Sequence, residues 1–202
     1  MSKGAQTRQA ILSEAAQVAS RIGLEGLTIG RLASELELSK SGLFAHFHSK
    51  QALQVETLRH AAELFVDFVV RPALRAARGE PRFRALLERW LEWGRADVLT
   101  GGCLFVAASS EFDDREGPVR EELVRQQRDW LELLGNVART GIGEGHFRAE
   151  LDTEQLAWDV YGVTLAFHHG WRLLHDPRAE ARARSAFEAL IAGARRAGGG
   201  AG

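Results

Sequence analysis

A single cysteine in 202 residues leaves an internal disulfide nothing to join. No apolar run approaches the roughly 20 residues that a bilayer span requires, and the opening Met-Ser-Lys-Gly-Ala-Gln-Thr-Arg has no apolar signal core. These absences exclude a disulfide-stapled scaffold and a membrane span, and the expected location is the cytoplasm. The period-two alternation of half-buried strands is nearly missing as well. Apolar residues recur three and four apart instead, with the four prolines and most glycines at segment ends, so the predicted fold is all-α. Catalytic signatures are also lacking. There is no phosphate-cradling Gly-Lys-Ser/Thr loop, no Gly-x-Ser-x-Gly and no paired-carboxylate motif, so neither an enzyme nor a cofactor is expected. The formal net charge of −1 excludes a strongly basic or acidic protein. The first sixty residues nevertheless hold Lys3, Arg8, Arg21, Arg31, Lys40, Lys50 and Arg59 against Glu14, Glu25, Glu35, Glu37 and Glu56, a surplus of about two positive charges. That bias has the sign nucleic acid needs, but it is small.

What is present begins with residues 28–50. Ile29, Leu32, Ala33 and Leu36 follow a Thr28 placed to cap a helix of about 29–36. Ser39 caps a second helix, about 40–46, which turns Leu43 and Phe47 inward and leaves Lys40, Ser41, Phe44, Ala45 and His46 outward. Two short helices joined by a tight polar step, the second with a small polar outer face, are what a helix-turn-helix protein lays into the major groove. An ordinary helical corner is the plain alternative.

Leu27-Thr28-Ile29, Leu32-Ala33, Leu38-Ser39-Lys40-Ser41-Gly42-Leu43-Phe44, His46-Phe47 and Ser49-Lys50 resemble, in order and spacing, the DNA-binding segment of the tetracycline-repressor (TetR) family. The resemblance implies a three-helix helix-turn-helix domain over 1–48 and a helical ligand-binding and dimerisation domain over 49–197, while the low-complexity tail at 198–202 is expected to be disordered. It implies groove contacts from Lys40, Ser41, Gly42, Phe44 and His46, with Thr28, Ser39 and Lys50 on phosphates. On the residues alone, Lys50 reads equally well as a solvated surface lysine. Glu37 stands where the family usually has Gly, and Phe44 where many members have Tyr, so one phenolic hydroxyl for a phosphate is missing.

The remaining pattern is a succession of helices. The first spans about 5–22, with Ile11, Ala15, Val18 and Ile22 on one face and Gly23 at its end. A long one, capped by Ser49, covers about 50–77, where Pro72 kinks it or ends its regular part. Others are expected at 82–97, in the apolar stretch 101–108, from Pro118 to about Gly141, at 153–175 and at 178–195, with Asp113 and Asp114 in a loop. Leu156, Val160, Val163, Phe167, Trp171 and Leu174 form one stripe of the 153–175 helix, while Ala157, Trp158, Tyr161 and Leu165 spread apolar groups round it. A helix apolar on more than one face must bury more than one face. With the last helix it suggests a homodimer built as a four-helix bundle, through Val160, Val163, Phe167, Trp171, Phe187 and Ile191.

Trp90, Cys103, Phe105, Phe112, Trp130 and Phe167 are candidates to line an apolar effector cavity, although each reads equally well as core filling. His168, His169 and His175 lie near one another in sequence but lack a completing Cys or carboxylate. They are expected to be packed or interfacial rather than metal-bound. The expected function is a dimeric repressor that binds a palindromic double-stranded DNA operator and is released by a small-molecule effector. The alternative is an all-helical ligand-binding or protein-interaction module that no longer reads DNA.

Overall fold

The computed structural model describes residues 3–96 and 98–196, so the tail expected at 198–202 lies outside the described residues. Among these residues there are ten α-helices: α1 (Lys3–Ile22), α2 (Ile29–Glu35), α3 (Lys40–Phe47), α4 (Lys50–Phe65), α5 (Arg71–Ala73), α6 (Glu80–Arg95), α7 (Leu104–Phe112), α8 (Pro118–Gly143), α9 (Thr153–Arg172) and α10 (Ala179–Ala194). Their only extended pairing is an isolated bridge between Phe147 and Arg195. None of the described helices is long and apolar enough to cross a membrane. The chain divides into two compact units, Met1–Val66 with Arg95–Gln127, and Asp67–Gly94 with Arg128–Gly202. This division departs from the 48/49 boundary expected above, because the 98–127 segment returns to pack on α1.

In the first unit α1 buries Ile11, Leu12, Ala15, Ala16, Val18 and Ala19, and the small alanines let α4 lie close. His60 of α4 is buried against α1, where Gln9 Nε2 approaches Nδ1 at 3.0 Å and Ser13 Oγ approaches Nε2 at 3.1 Å. Burial lowers the pKa of this imidazole, favouring the neutral ring that both contacts suit. Gln17 then binds the returning segment from both ends of its amide, donating to the Val98 carbonyl at 2.7 Å and accepting from Thr100 N–H at 3.1 Å. Gly101 comes so near α1 that a Cβ there would stand 1.7 Å from the Ser20 carbonyl oxygen. The helix expected at 101–108 therefore starts only at Leu104, and it runs on to Phe112.

The long helix expected over 50–77 is broken. Its regular part ends at Phe65, and a π-helical turn, Val66–Val70, leads into α5 at Pro72. Proline has no N–H to give the carbonyl four residues back. That carbonyl, Phe68, is taken up by Arg89, whose Nε and Nη2 donate to it at 3.1 and 2.9 Å while the guanidinium lies over the Phe68 ring.

The second unit packs α6, the later part of α8, α9 and α10 around Phe83, which stacks on Phe187 at 5.9 Å and meets Phe147 edge-on at 6.2 Å. Glu80 closes one end of that core. Its carboxylate accepts from Arg195 at 2.6 and 2.9 Å and from Arg84 at 2.7 Å, while Arg84 also pairs with Glu188. Arg195's hydrogen bond, then Arg84's, outweigh partial burial and pull the Glu80 carboxyl down to about 2.

A carboxyl depressed in the folded state stabilises the fold above its unfolded pKa, and that stability is lost as pH falls toward the folded value. Glu80→Gln should lower stability by about 1–3 kcal/mol at neutral pH. The gap from the parent protein should narrow between pH 4.5 and about 2, as followed by urea unfolding across that range. A gap independent of pH would remove Glu80 from the acid response.

Candidate nucleic-acid interface

Helices α2, α3 and α4 begin on hydroxyl caps at the predicted residues. Thr28 Oγ1 accepts from Arg31 N–H at 3.1 Å, Ser39 Oγ from Gly42 N–H at 3.1 Å, and Ser49 Oγ from Ala52 N–H at 3.0 Å. Capping uses an oxygen lone pair and leaves the hydroxyl proton for another acceptor. Between α2 and α3 the chain makes a Schellman turn, in which Leu38 N–H reaches the Ala33 carbonyl at 2.9 Å and Glu37 N–H reaches Ser34 at 3.4 Å. Its left-handed residue is Glu37, at φ 54°. This is where a glycine would be at ease.

On α3, Leu43 and Phe47 are buried, while Lys40, Ser41, Gly42, Phe44 and Ala45 are exposed. Phe44 is 54% exposed and meets the His48 ring edge-on at 6.4 Å. His46 is only half-buried and leans on the Phe47 ring at 6.2 Å, so it is less open than expected. A Cβ on Gly30 would touch Lys40 Cε at 3.5 Å, which places the start of α3 directly beside α2.

Most cations of this unit are paired. Arg8 meets Glu56 at 3.2 Å, Arg59 meets Glu122 at 3.2 Å, and Arg21 approaches Glu14 at 4.0 Å. Lys50, expected on a phosphate, has its Nζ 2.8 Å from Glu25 Oε1. Among the cations of residues 8–60 only Arg31 and Lys40 carry no ion pair, so the small positive surplus of that stretch emerges at the helix-turn-helix. Arg31, on the exposed side of α2, was missed by the sequence reading, although its polar neighbours Ser34 and Glu35 marked that side as outward. Glu25 and Glu111 were missed too. No local signal could have joined Glu111 to the Leu24 amide 87 residues away.

The candidate ligand-lining residues divide. Trp90, Trp130 and Phe167 belong to the second unit, where Trp90 meets Phe167 at 6.1 Å and Phe167 stacks on Trp171 at 6.1 Å. Cys103, Phe105 and Phe112 belong to the first, where Phe105 packs on Phe65 at 6.2 Å. The expected interface stripe requires a correction. Val160, Phe167, Phe187 and Ile191 are buried within the chain, because α9 and α10 turn this stripe toward their own unit. Val163 is half-buried and Trp171 partly exposed. What α9 presents outward is Trp158, 63% exposed, with Leu174 beyond its end at 62%. An open groove of about 750 Å³ runs between α9 and α10, lined by Gly162, Val163, Ala166, Ala183 and Ala186 among others.

His168, His169 and His175 do not converge. His168 Nε2 is buried without a hydrogen-bond partner, and burial, aided by Arg172 and His169, pushes its pKa down to about 4. His169 lines the groove, and His175 is exposed in a left-handed turn at φ 49°. Among the described residues no group of three His, Cys, Asp or Glu side chains is arranged to hold a metal ion.

Comparison with known proteins matches two separate stretches of the chain. Residues 11–57 match the bacterial regulatory proteins of the tetR family, and residues 79–187 match the tetracyclin repressor-like C-terminal domain. No curated protein sequence matches. Among solved structures, a TetR transcriptional regulator from Chloroflexus aurantiacus superposes with a TM-score of 0.84 at 25% identity, over 98% of this chain and 100% of that one. AibR, in complex with isovaleryl coenzyme A and operator DNA, gives 0.71 at 20% identity over 91% and 97%. A transcriptional regulator from Saccharomonospora viridis, described as putative and bound to choline, gives 0.74 at 21% over 96% and 100%.

Since Glu37 occupies the left-handed position of the turn, Glu37→Gly should raise stability by roughly 0.5–1 kcal/mol, read as a higher denaturation midpoint. A lower midpoint would show that the turn holds Glu37 without strain.

Proposed function

The chain belongs to the tetR family of bacterial regulatory proteins, and on that premise we propose that α3 reads operator DNA from the major groove while the second unit receives a small-molecule effector. The observation that carries this reading is α3 itself, an eight-residue helix with two buried anchors and a face of lysine, serine, glycine, alanine and one phenylalanine turned outward. The chain is a dimeric transcriptional regulator, and its operator is a palindrome whose half-sites lie about one turn of DNA, ~34 Å, apart. One head offers little charge, so two are needed for useful affinity. An effector that binds the DNA-released state more tightly shifts the population away from the operator, which makes the protein a repressor. Neighbours of the same fold hold chemically unlike molecules, isovaleryl coenzyme A and choline, so they support a ligand-binding body without naming this one's effector. We read the chain as a binding protein rather than an enzyme, acting on DNA in the cytoplasm.

The assignment is tested by electrophoretic mobility shift on DNA flanking the protein's own gene, with competitor DNA present. A discrete shift that survives competitor is expected. Lys50→Ala should weaken binding to every duplex and reduce the salt slope by about one per head, whereas Ser41→Ala or His46→Ala should alter sequence preference. Uniform loss from the latter pair would remove α3 from the groove.

For the dimer, we assign the contact to the outward face of α9, around Trp158 and the α9–α10 groove, in place of the buried stripe. Trp158→Glu should convert dimer to monomer in sedimentation equilibrium without lowering the melting temperature of the isolated protomer. A Trp158→Glu protein that stays dimeric would move the interface elsewhere.

A further inference from the structure

We propose that Glu25 is a built-in competitor for Lys50, occupying the ammonium that a DNA phosphate needs, and that Arg115 sets how strongly it competes. The proposal rests on the reading that the head binds DNA with Lys50 at a phosphate.

The position of Glu25 is fixed from two sides. Gly23, at φ 85°, turns the chain out of α1, and the next two amides, Leu24 and Glu25, donate to the Glu111 carboxylate at 3.2 and 2.7 Å. A Cβ on Gly23 would stand 2.7 Å from Glu111 Oε1, so the loop is seated tightly on that carboxylate. From α4, the buried Gln54 amide donates to the Leu24 carbonyl at 2.7 Å. The backbone of Glu25 is thus held between α7 and α4, and its side chain extends to the first turn of α4.

There each carboxylate oxygen takes one cation. Oε1 faces Lys50 Nζ at 2.8 Å, and Oε2 faces Arg115 at 2.9 Å. All three side chains are partly exposed, so the pairs exchange with solvent and are within reach of a third charge. An ammonium already facing a carboxylate displaces fewer counterions from DNA and gains less from a phosphate. The Arg115 guanidinium lies over the Phe112 ring at 5.3 Å, so its position follows the end of α7, the helix whose Glu111 fastens the loop. When Arg115 holds Glu25, part of the carboxylate's charge is answered and Lys50 is easier to release. When Arg115 is withdrawn, Glu25 turns its whole charge on Lys50.

The test is fluorescence anisotropy of the full-length protein on its operator and on an unrelated duplex, over a series of salt concentrations. Glu25→Gln should tighten binding to both duplexes by about threefold per head, about tenfold for the dimer, and steepen the salt slope. Glu25→Ala should do the same, while Glu35→Gln, an equal change of charge on α2, should have a much smaller effect. In a Lys50→Ala background the gain from Glu25→Gln should disappear. Arg115→Ala should weaken binding in the parent protein and have little effect beside Glu25→Gln. Unchanged or weaker binding by both folded Glu25 variants would overturn the proposal, as would a gain that survives in Lys50→Ala. An Arg115 effect that persists beside Glu25→Gln would make Arg115 an ordinary phosphate contact and overturn its role. If Lys50→Ala binds as the parent does, the phosphate reading itself fails and takes the proposal with it. If the parent binds no duplex, it is the DNA function that has failed.

Discussion

The first unit depends on how the chain segment after α6 is fastened to the end of α1. Helices leave backbone amides and carbonyls unsatisfied at their ends, and a buried or half-buried loop leaves more. Here the amides of Leu24 and Glu25 find the Glu111 carboxylate, Gly101 N–H finds Ser20 Oγ, and Gln17 serves both Val98 and Thr100. These are ties between groups some 80 residues apart in sequence. They oblige α7 to move with the helix-turn-helix, and they explain why the compact unit containing that motif is larger than the family's DNA-binding segment. Gly23 and Gly101 are the two glycines this fastening requires, one for its positive φ and one for the room it leaves.

Electrostatics of the head follow from the same arrangement. The first sixty residues carry a surplus of about two positive charges. Pairing of Arg8, Arg21, Lys50 and Arg59 with carboxylates leaves Arg31 and Lys40 as the cations of residues 8–60 without ion pairs. Both lie on the helix-turn-helix. Such a surface is weakly attractive to DNA in general and owes more of its binding to close fit, which suits a regulator that must be released by a modest shift in equilibrium.

The second unit shows how a helix can be read correctly for apolar excess and incorrectly for direction. The surplus apolar surface of α9 was visible in its spacing, and the helix does bury one face while exposing Trp158 on another. Which face would turn inward depended on the partner. Phe83, Trp90 and Phe187 form an aromatic core that accepts Phe167 and Ile191, so the larger stripe closed the unit and the smaller groups, with Trp158, were left outside. Periodicity reports that two faces exist, but it is silent on what each one meets.

By itself the sequence determined the helical class, the caps at Thr28, Ser39 and Ser49, the inward Leu43 and Phe47, and the family of the head. All of these are set by interactions within a few residues, where spacing and side-chain chemistry are sufficient. Only the tertiary structure decided that Lys50 faces Glu25, that Glu111 fastens the loop after α1, that Arg89 serves the carbonyl Pro72 leaves open, and that Val160 and Phe167 fill a core rather than an interface. Those outcomes join residues far apart in the chain. A carboxylate or an apolar stripe has many chemically equivalent partners, and only packing in three dimensions selects among them.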